Sequence, residues 1–337
     1  MKATYVCFPE QGRVTVETED VSAEGLWPYE VVIRNETSIV SAGTELARLH
    51  GTDSGAQYPL RPGYGAIGRI EAKGAAVSDF QVGERVFYAG KHASVQRFLH
   101  GQNHQWGRLY RAPQDMDPVD AAFVCMAEIA MTAVNVTELD LGDTVAVFGL
   151  GLVGNLAAQQ YRLAGARVIG LDPSANRCRL AREVGIGETV DAPPAGQVQA
   201  LKEMTGGRGA QVTVDAVGHT AVADACIRAA AVYGQIVLLG TPRSPLVMDA
   251  TSAFSAVHRN GLVVRGAHMW RWPAGELREV KRTVPWAFQT NFDLIASGRL
   301  RVRELLTHLI RPEQCPDAYR GLQDDPDNYV AVVIDWR

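Results

Sequence analysis

Three glycines, Gly149, Gly151 and Gly154, stand at the spacing G-x-G-x-x-G. They follow the apolar segment TVAVF and precede LVGNLAAQQYRLAG, which has the residue types of a helix. In such a motif the first glycine allows a tight turn, the second lets a pyrophosphate approach the backbone, and the third lets helix and strand pack closely. The N–H groups of the first helical residues, Leu152 and Val153, then favour a phosphate. The spacing predicts a dinucleotide-binding site.

A carboxylate, Asp172, ends the next predicted strand, 18 residues after Gly154. An acid at this place accepts hydrogen bonds from a ribose 2′-OH and repels the additional phosphate of NADP, so we expect NAD. Arg177 either contacts the adenine or ribose or is a solvent-exposed arginine on a helix face. Val217 and Gly240, which lie in the strand-like segments QVTVDAVG and YGQIVLLG, complete the predicted cofactor set.

The positions of these residues depend on the order of the predicted elements. Up to about residue 120, short apolar segments alternate with Gly, Pro, Asp and Ser roughly every 8 to 12 residues, which is typical of a β-barrel or sandwich. The segment DAAFVCMAEIAMTAVNV at 120–136 predicts a buried helix. Strand-like and helix-like segments then alternate, which predicts a doubly wound parallel sheet. We expect domains at 1–130 and 131–268, with 269–337 returning to the first.

The composition narrows the class of protein. With 337 residues, 47% hydrophobic and 21% charged, the chain has the size and composition of a two-domain globular enzyme. A net charge of −4 gives no electrostatic reason to expect nucleic acid or an anionic membrane as partner. The N-terminal sequence has no signal-peptide pattern, and no apolar stretch approaches the length of a membrane span. The five cysteines are far apart and form no C-x-x-C, so we expect reduced thiols in a cytoplasmic protein.

Several short motifs follow one another through the chain. They are SAGTE at 41–45, RPGYGAIG at 61–68, VGERV at 82–86, GLGLVG at 149–154, DAVG at 215–218 and LLTH at 305–308. In this ordered series the chain resembles the medium-chain dehydrogenase/reductase superfamily. The resemblance implies an α/β fold with a GroES-like, β-rich catalytic domain and a Rossmann NAD-binding domain. It also implies a homodimer formed through the last Rossmann strand. The GTE and PGY segments look most like bacteriochlorophyllide dehydrogenase-type proteins, which act on a secondary alcohol of a large substrate.

The resemblance also indicates where a metal site is altered. Zinc-dependent members have a ligating cysteine where this chain has Ala42 and a ligating histidine where it has Tyr64; the third ligand position corresponds to Glu128. A carboxylate and a phenol do not make the three ligands of a catalytic zinc site. The cysteine-rich lobe that binds a structural zinc in relatives is missing between Val86 and Val95. We therefore expect no zinc.

Without a metal, a side chain must hold the carbonyl oxygen and transfer one proton. Tyr64 is the first candidate, and the resemblance implies that Thr44 begins a proton relay. Lys91 is expected to lower the pKa of the tyrosine, and His92 to carry the proton outward. Glu128 either orients a donor or closes an ion pair on the helix. For each residue a purely structural role stays open: packing for Tyr64, and solvated loop positions for Lys91 and His92.

These residues support three functions. The first is an NAD-dependent, zinc-independent alcohol dehydrogenase or ketone reductase that acts on a polyol, an amino-sugar or a natural-product alcohol. The second is an enone or quinone reductase, although such enzymes usually prefer NADPH, against which Asp172 argues. The third is an NAD(H)-binding sensor or structural protein without turnover, which the altered metal positions would permit.

Overall fold

Both halves predicted from the sequence are present in the computed structural model of the chain, which describes residues 1–53, 55–101, 105–243, 245–275, 277 and 279–337. The first unit comprises Met1–Cys125, Trp272–Gly298 and Leu306–Arg337. The second comprises Met126–Arg271 and Arg299–Leu305. The boundaries differ from the predicted 130/131 and 268/269 because the helix after Cys125 and the segment at 299–305 both bond to the second unit. The side chain of Gln160 donates to the Ala127 carbonyl, and Gln159 bonds the backbone of Arg301.

The first unit is built mainly from strands. These are β1 Lys2–Cys7, β2 Thr15–Asp20, β3 Glu30–Ile39, β4 Ala66–Lys73, β5 Arg85–Tyr88, β6 Val95–Leu99 and β7 Leu109–Arg111. The second unit supplies β8 Thr144–Phe148, β9 Arg167–Leu171, β10 Glu188–Val190, β11 Ala210–Asp215, β12 Ala230–Leu238 and β13 Val263–Gly266. The first unit ends with β14 Leu306–Ile310 and β15 Ala331–Asp335.

Ten α-helices occur in the described residues. They are α1 Ala42–Leu49, α2 Pro118–Ala122, α3 Val124–Val136, α4 Leu152–Leu163, α5 Ala175–Glu183, α6 Pro194–Met204, α7 Thr220–Ala229, α8 Ala250–Asn260, α9 Val284–Ala296 and α10 Cys315–Asp324. The single helix predicted at 120–136 is divided into α2 and α3, since Phe123 ends α2 with an N–H bond to the Asp120 carbonyl. Among the residues that the structure describes, no helix is long and apolar enough to cross a bilayer.

The first unit contains a seven-stranded sheet in the order β14-β15-β3-β4-β5-β7, with β6 also paired to β3. The pairs around β3, β4 and β5 are antiparallel, as the turn-rich sequence predicts. Its core includes the fully buried Ile33, Val86 and Tyr88. Helix α1 follows β3 directly, and this junction positions the SAGTE segment beside the PGY segment that precedes β4.

The second unit contains a six-stranded parallel sheet in the order β10-β9-β8-β11-β12-β13. Counted from β8, this is the order 3-2-1-4-5-6 of a Rossmann fold. The apolar strands are buried by helices, as the near-continuous hydrophobicity of TVAVF predicts. The order in which strands are added reverses at β8: β9 and β10 lie on one side of it, and β11, β12 and β13 lie on the other. Ligands of such sheets bind at this point, beyond the carboxyl ends of the two adjacent strands β8 and β11.

Candidate active site and cofactor site

The three motif glycines meet different surroundings at the end of β8. Gly149 has a φ of +92°, and a Cβ there would lie 2.5 Å from Cγ2 of Val217. A Cβ on Gly154 would lie 1.9 Å from the Gly149 carbonyl oxygen, so only glycine lets α4 pack this closely on the turn. A Cβ on Gly151 would meet nothing within 4 Å. Backbone at Gly151 is therefore open to a ligand, beside the N–H groups of Leu152 and Val153 that begin α4.

Asp172 follows β9 and is buried. One carboxylate oxygen, Oδ2, accepts the N–H of Leu150 at 2.7 Å, and Oδ1 accepts the N–H of Ser174 at 2.9 Å. The Arg177 guanidinium lies 3.6 Å from Asp172 Oδ2. The carboxylate thus joins the glycine turn to the beginning of α5, and each oxygen has a second lone pair for another donor.

The turns after β11 and β12 close the same edge of the sheet. Asp215 ends β11, and its Oδ1 accepts the N–H groups of Val217 and Gly218, both at 2.9 Å. Gly240 donates its N–H to the Asp215 carbonyl, and its Cα is so near Gly218 that a side chain would overlap the backbone there. Val217, which contacts Gly149, is 55% exposed. All predicted cofactor residues of the second unit therefore lie on or beside the carboxyl ends of adjacent strands.

In the first unit, Tyr64 lies against the beginning of α1. Its hydroxyl donates to Oγ of Ser41 and also interacts with the Thr44 side chain. The ring contacts Trp106 edge-to-face, with 5.0 Å between centroids. Sγ of Cys125 lies 3.8 Å from the Tyr64 carbonyl oxygen. The structure thus brings two sequence candidates, Tyr64 and Thr44, together with Ser41, Trp106 and Cys125.

The expected lowering of the Tyr64 pKa beside Lys91 is wrong, because the pKa is raised. Burial of the hydroxyl raises the pKa of Tyr64 well above its ordinary value, and the charge of Glu45 adds to this increase. Lys91 is half-buried, and burial together with the Arg48 charge lowers the pKa of its own ammonium group. The side chain of Gln96 holds the Lys91 backbone through two hydrogen bonds of 3.0 Å. Tyr64 is therefore a neutral phenol at neutral pH, suited to donate or accept a hydrogen bond.

His92 lies inside the first unit and is fully buried, so it does not match the expected outward shuttle. Its Nε2 lies 3.0 Å from Oε2 of Glu45, and its Nδ1 lies 2.8 Å from Oγ of Ser38. Glu45 Oε2 also accepts the hydroxyl of Tyr319. Burial alone favours the neutral acid, but His92 and the hydrogen-bond donors outweigh it, so the pKa of Glu45 is lowered. Glu45 is thus a buried anion with donors on both oxygens.

Glu128 lies on α3 in the second unit and is 1% exposed. Within the described residues, neither carboxylate oxygen has a hydrogen-bond partner. Burial raises the pKa of Glu128 to about 8. An ion pair on the helix, one of the two expectations, is not formed in the described part of the chain; the carboxyl remains a donor at neutral pH.

Two family profiles match the chain. The profile of the alcohol dehydrogenase GroES-like domain matches residues 28–109, and that of zinc-binding dehydrogenases matches residues 153–285. The chain belongs to the medium-chain dehydrogenase/reductase superfamily. This confirms the predicted α/β architecture of a GroES-like domain with a Rossmann domain.

Relatives of this superfamily member include dehydrogenases of several substrates. An alcohol dehydrogenase of Cupriavidus necator is 26% identical over 99% of this chain and 98% of the relative. A D-guloside 3-dehydrogenase of Escherichia coli is 26% identical over 80% of this chain and 75% of the relative. Among solved structures, galactitol-1-phosphate dehydrogenase from Escherichia coli has a TM-score of 0.82 at 20% identity, covering 98% of this chain and 99% of that one.

The profile of zinc-binding dehydrogenases implies a catalytic zinc ion, but the side chains at the ligand positions are poor zinc ligands. Ala42 has no ligand atom, and the Tyr64 hydroxyl is engaged with Ser41. In the part of the chain that the structure describes, no three His, Cys, Asp or Glu side chains are grouped so as to hold a metal ion. The residues present therefore do not fit a catalytic zinc site.

Sequence reasoning missed Ser41, Glu45 and Trp106. Ser41 and Glu45 were visible in SAGTE, but a serine before a helix ordinarily indicates a cap rather than a partner of a distant tyrosine. Trp106 lies in a short 3-10 turn at 105–107, and no spacing in the sequence connects it to Tyr64. All three act through contacts between residues far apart in the chain.

Proposed function

We propose that this protein is an NAD-dependent dehydrogenase that interconverts a secondary alcohol and its ketone without zinc. The observation that supports it most is the hydroxyl cluster of Tyr64, Ser41 and Thr44, in which Tyr64 occupies a metal-ligand position of zinc-dependent relatives and Thr44 the position that begins their proton relay. In this proposal Tyr64 contacts the reacting oxygen. During reduction its neutral phenol would donate its proton to the ketone oxygen and become a phenolate; during oxidation the phenol would first release its proton to solvent, and the phenolate would take up the proton of the alcohol.

The second unit fits the cofactor. A bound nicotinamide dinucleotide would supply the two-electron exchange with the substrate. Gly151, which is open to a ligand, and the first turn of α4 would hold its pyrophosphate. Asp172 would accept the ribose hydroxyls and oppose a 2′-phosphate, which favours NAD over NADP.

For the substrate, we propose a polyol, an amino-sugar or another natural-product alcohol. The name of the D-guloside 3-dehydrogenase relative favours a sugar derivative with an oxidisable secondary hydroxyl. The half-buried Trp106 beside Tyr64 provides an aromatic surface suited to the apolar face of such a ring.

A substrate panel tests the proposal. NAD and NADP are offered with cyclic sugar alcohols and acyclic polyols, and NADH and NADPH with enones and quinones. The protein is purified without added metal and analysed for zinc. We expect alcohol oxidation with NAD, zinc far below one equivalent, and no loss with a chelator. Stoichiometric zinc with chelator-sensitive activity would contradict the metal-free mechanism. Turnover of enones alone would indicate the reductase, and tight NADH binding without any turnover would indicate the binding protein.

We also propose a homodimer formed through β13. This strand is at the edge of the Rossmann sheet, and Val263 and Val264 are 43% and 49% exposed. An exposed apolar edge strand is a ready site for pairing with a second copy. Light scattering coupled to size-exclusion chromatography should give twice the chain mass, and Val264→Lys should shift it toward the monomer; a monomeric wild type would refute this assembly.

A further inference from the structure

Ser41 occupies the N-cap position of α1 without capping the helix. Its side chain makes no hydrogen bond to the N–H groups of the first turn. Serine is favoured at this position because its hydroxyl normally accepts such an N–H. Here the hydroxyl instead accepts the hydrogen bond of Tyr64. Natural proteins give up local preferences of this kind at functional or strained sites.

The backbone of Ser41 is fixed from the opposite side. Its N–H donates to Glu45 Oε1 at 2.8 Å, and Glu45 is fully buried. The other carboxylate oxygen accepts from His92 and Tyr319. Because both carboxylate oxygens have partners in the interior, Glu45 has little freedom to move, and Ser41 is held at one place relative to the Tyr64 ring.

On the basis of the proposed role of Tyr64, we infer that Ser41 is a positioning residue that sets the direction of the Tyr64 O–H. The Ser41 hydroxyl defines where the phenol proton points, while Trp106 limits the orientation of the ring. With its proton directed at Ser41, the phenol oxygen presents a lone pair to an incoming alcohol; when the Ser41 hydroxyl donates instead, the phenol O–H is available to a ketone oxygen. Without Ser41, the Tyr64 hydroxyl keeps its interaction with Thr44 but can turn its proton to other acceptors, so fewer encounters have the reactive geometry.

A matched pair of variants separates positioning from helix capping. Ser41→Ala removes the hydroxyl that binds Tyr64 but no capping bond. Thr283→Ala, in the same unit, removes a hydroxyl that caps α9 by accepting the Trp286 N–H at 3.3 Å. We expect Ser41→Ala to lower kcat about tenfold, the loss of roughly one hydrogen bond's contribution, with KM within about twofold. Thr283→Ala should lower the melting temperature and leave kcat unchanged. Ser41→Thr should restore most of kcat.

A second readout does not depend on turnover. In full-length protein labelled with ¹³C at tyrosine Cζ, the Tyr64 resonance is identified by its absence in Tyr64→Phe. It should shift in Ser41→Ala and Ser41→Gly, and remain near the wild-type position in Thr283→Ala and Ser41→Thr. Glycine is well tolerated at an N-cap, so Ser41→Gly serves if the alanine variant does not fold. An unchanged resonance in a folded Ser41→Ala or Ser41→Gly variant would overturn the inference. If the resonance shifts but no alcohol is oxidised by the wild type, Ser41 positions Tyr64 and the proposed function is wrong.

Discussion

Gly151 and Gly154 are three residues apart on one turn, yet the structure predicts different outcomes for the same substitution. At Gly151 a new methyl group meets open space, and the backbone angles of −62° and −176° are allowed for alanine. At Gly154 the methyl carbon would lie 1.9 Å from the Gly149 carbonyl oxygen, where contacts below about 3 Å are not tolerated. Helix α4 must then move by about 1 Å, and backbone shifts of this kind make overpacking destabilising.

The two magnitudes follow from these surroundings. In Gly151→Ala, alanine is a poorer N-cap residue than glycine, which destabilises the protein, but it also makes the unfolded chain less flexible, which stabilises the protein. The two effects oppose each other, so the free energy of unfolding should change by less than about 1 kcal/mol. Its methyl group would keep a pyrophosphate from the N–H groups of α4. Losing one charge-assisted hydrogen bond costs about 1.5–3 kcal/mol, which weakens NADH binding at least about tenfold. Gly154→Ala should lower the free energy of unfolding by about 1–3 kcal/mol.

Denaturant unfolding and a fluorescence titration with NADH measure both quantities on the same preparations. Gly151→Ala should unfold like the wild type and bind NADH weakly; Gly154→Ala should be clearly destabilised. The reasoning is refuted if Gly151→Ala binds NADH as the wild type does, or if Gly154→Ala unfolds at the wild-type denaturant concentration.

Three other substitutions, one of them with a matched control, test single side chains. Asp172→Asn removes the charge that opposes a 2′-phosphate. The ratio of kcat/KM with NADP to kcat/KM with NAD should therefore rise at least about tenfold. An unchanged ratio would argue against Asp172 as the residue that selects the cofactor. For Glu128, the unfolded carboxyl ionises near 4.5 and the folded one near 8, so the wild type loses stability as pH rises between these values. Glu128→Gln should remove that loss, at most about 5 kcal/mol at pH 8, and parallel pH profiles of unfolding would contradict this. Glu45→Gln weakens a buried anionic network and should lower the free energy of unfolding by about 3–5 kcal/mol. The control Glu71→Gln removes an exposed ion pair with Arg34 and should lower it by less than about 1 kcal/mol. Equal losses of the two variants in denaturant unfolding would contradict this difference.

The Rossmann unit was predictable from the sequence because its signals are local. The roles of Gly149, Gly151 and Gly154 depend on a turn between adjacent elements, and the spacing of the motif contains that information. Asp172 was predictable for the same reason, since it ends the next strand. The sequence did not show that the Asp172 carboxylate also bonds the glycine turn, because this bond depends on how β8 and β9 pair.

The first unit was less predictable because its chemistry depends on long-range packing. Tyr64 and Thr44 were identified by resemblance, but the shift in the pKa of Tyr64 was predicted with the wrong sign. Burial of the hydroxyl is the main cause of that shift, and it is not visible in YAGKHASV, where Lys91 and His92 are neighbours. The alternation of β-strand residues predicts which face is buried, but not that His92 pairs with a glutamate 47 residues earlier.

The most direct test of the zinc-independent mechanism is the kcat of Tyr64→Phe with the best alcohol substrate, in protein whose zinc content has been measured. Phenylalanine keeps the ring against Trp106 and removes only the hydroxyl. If Tyr64 transfers the proton to and from the reacting oxygen, kcat should fall at least about 100-fold while the affinity for NADH is unchanged. A variant that retains kcat within a few-fold of the wild type would contradict the role of Tyr64 and with it the proposed mechanism.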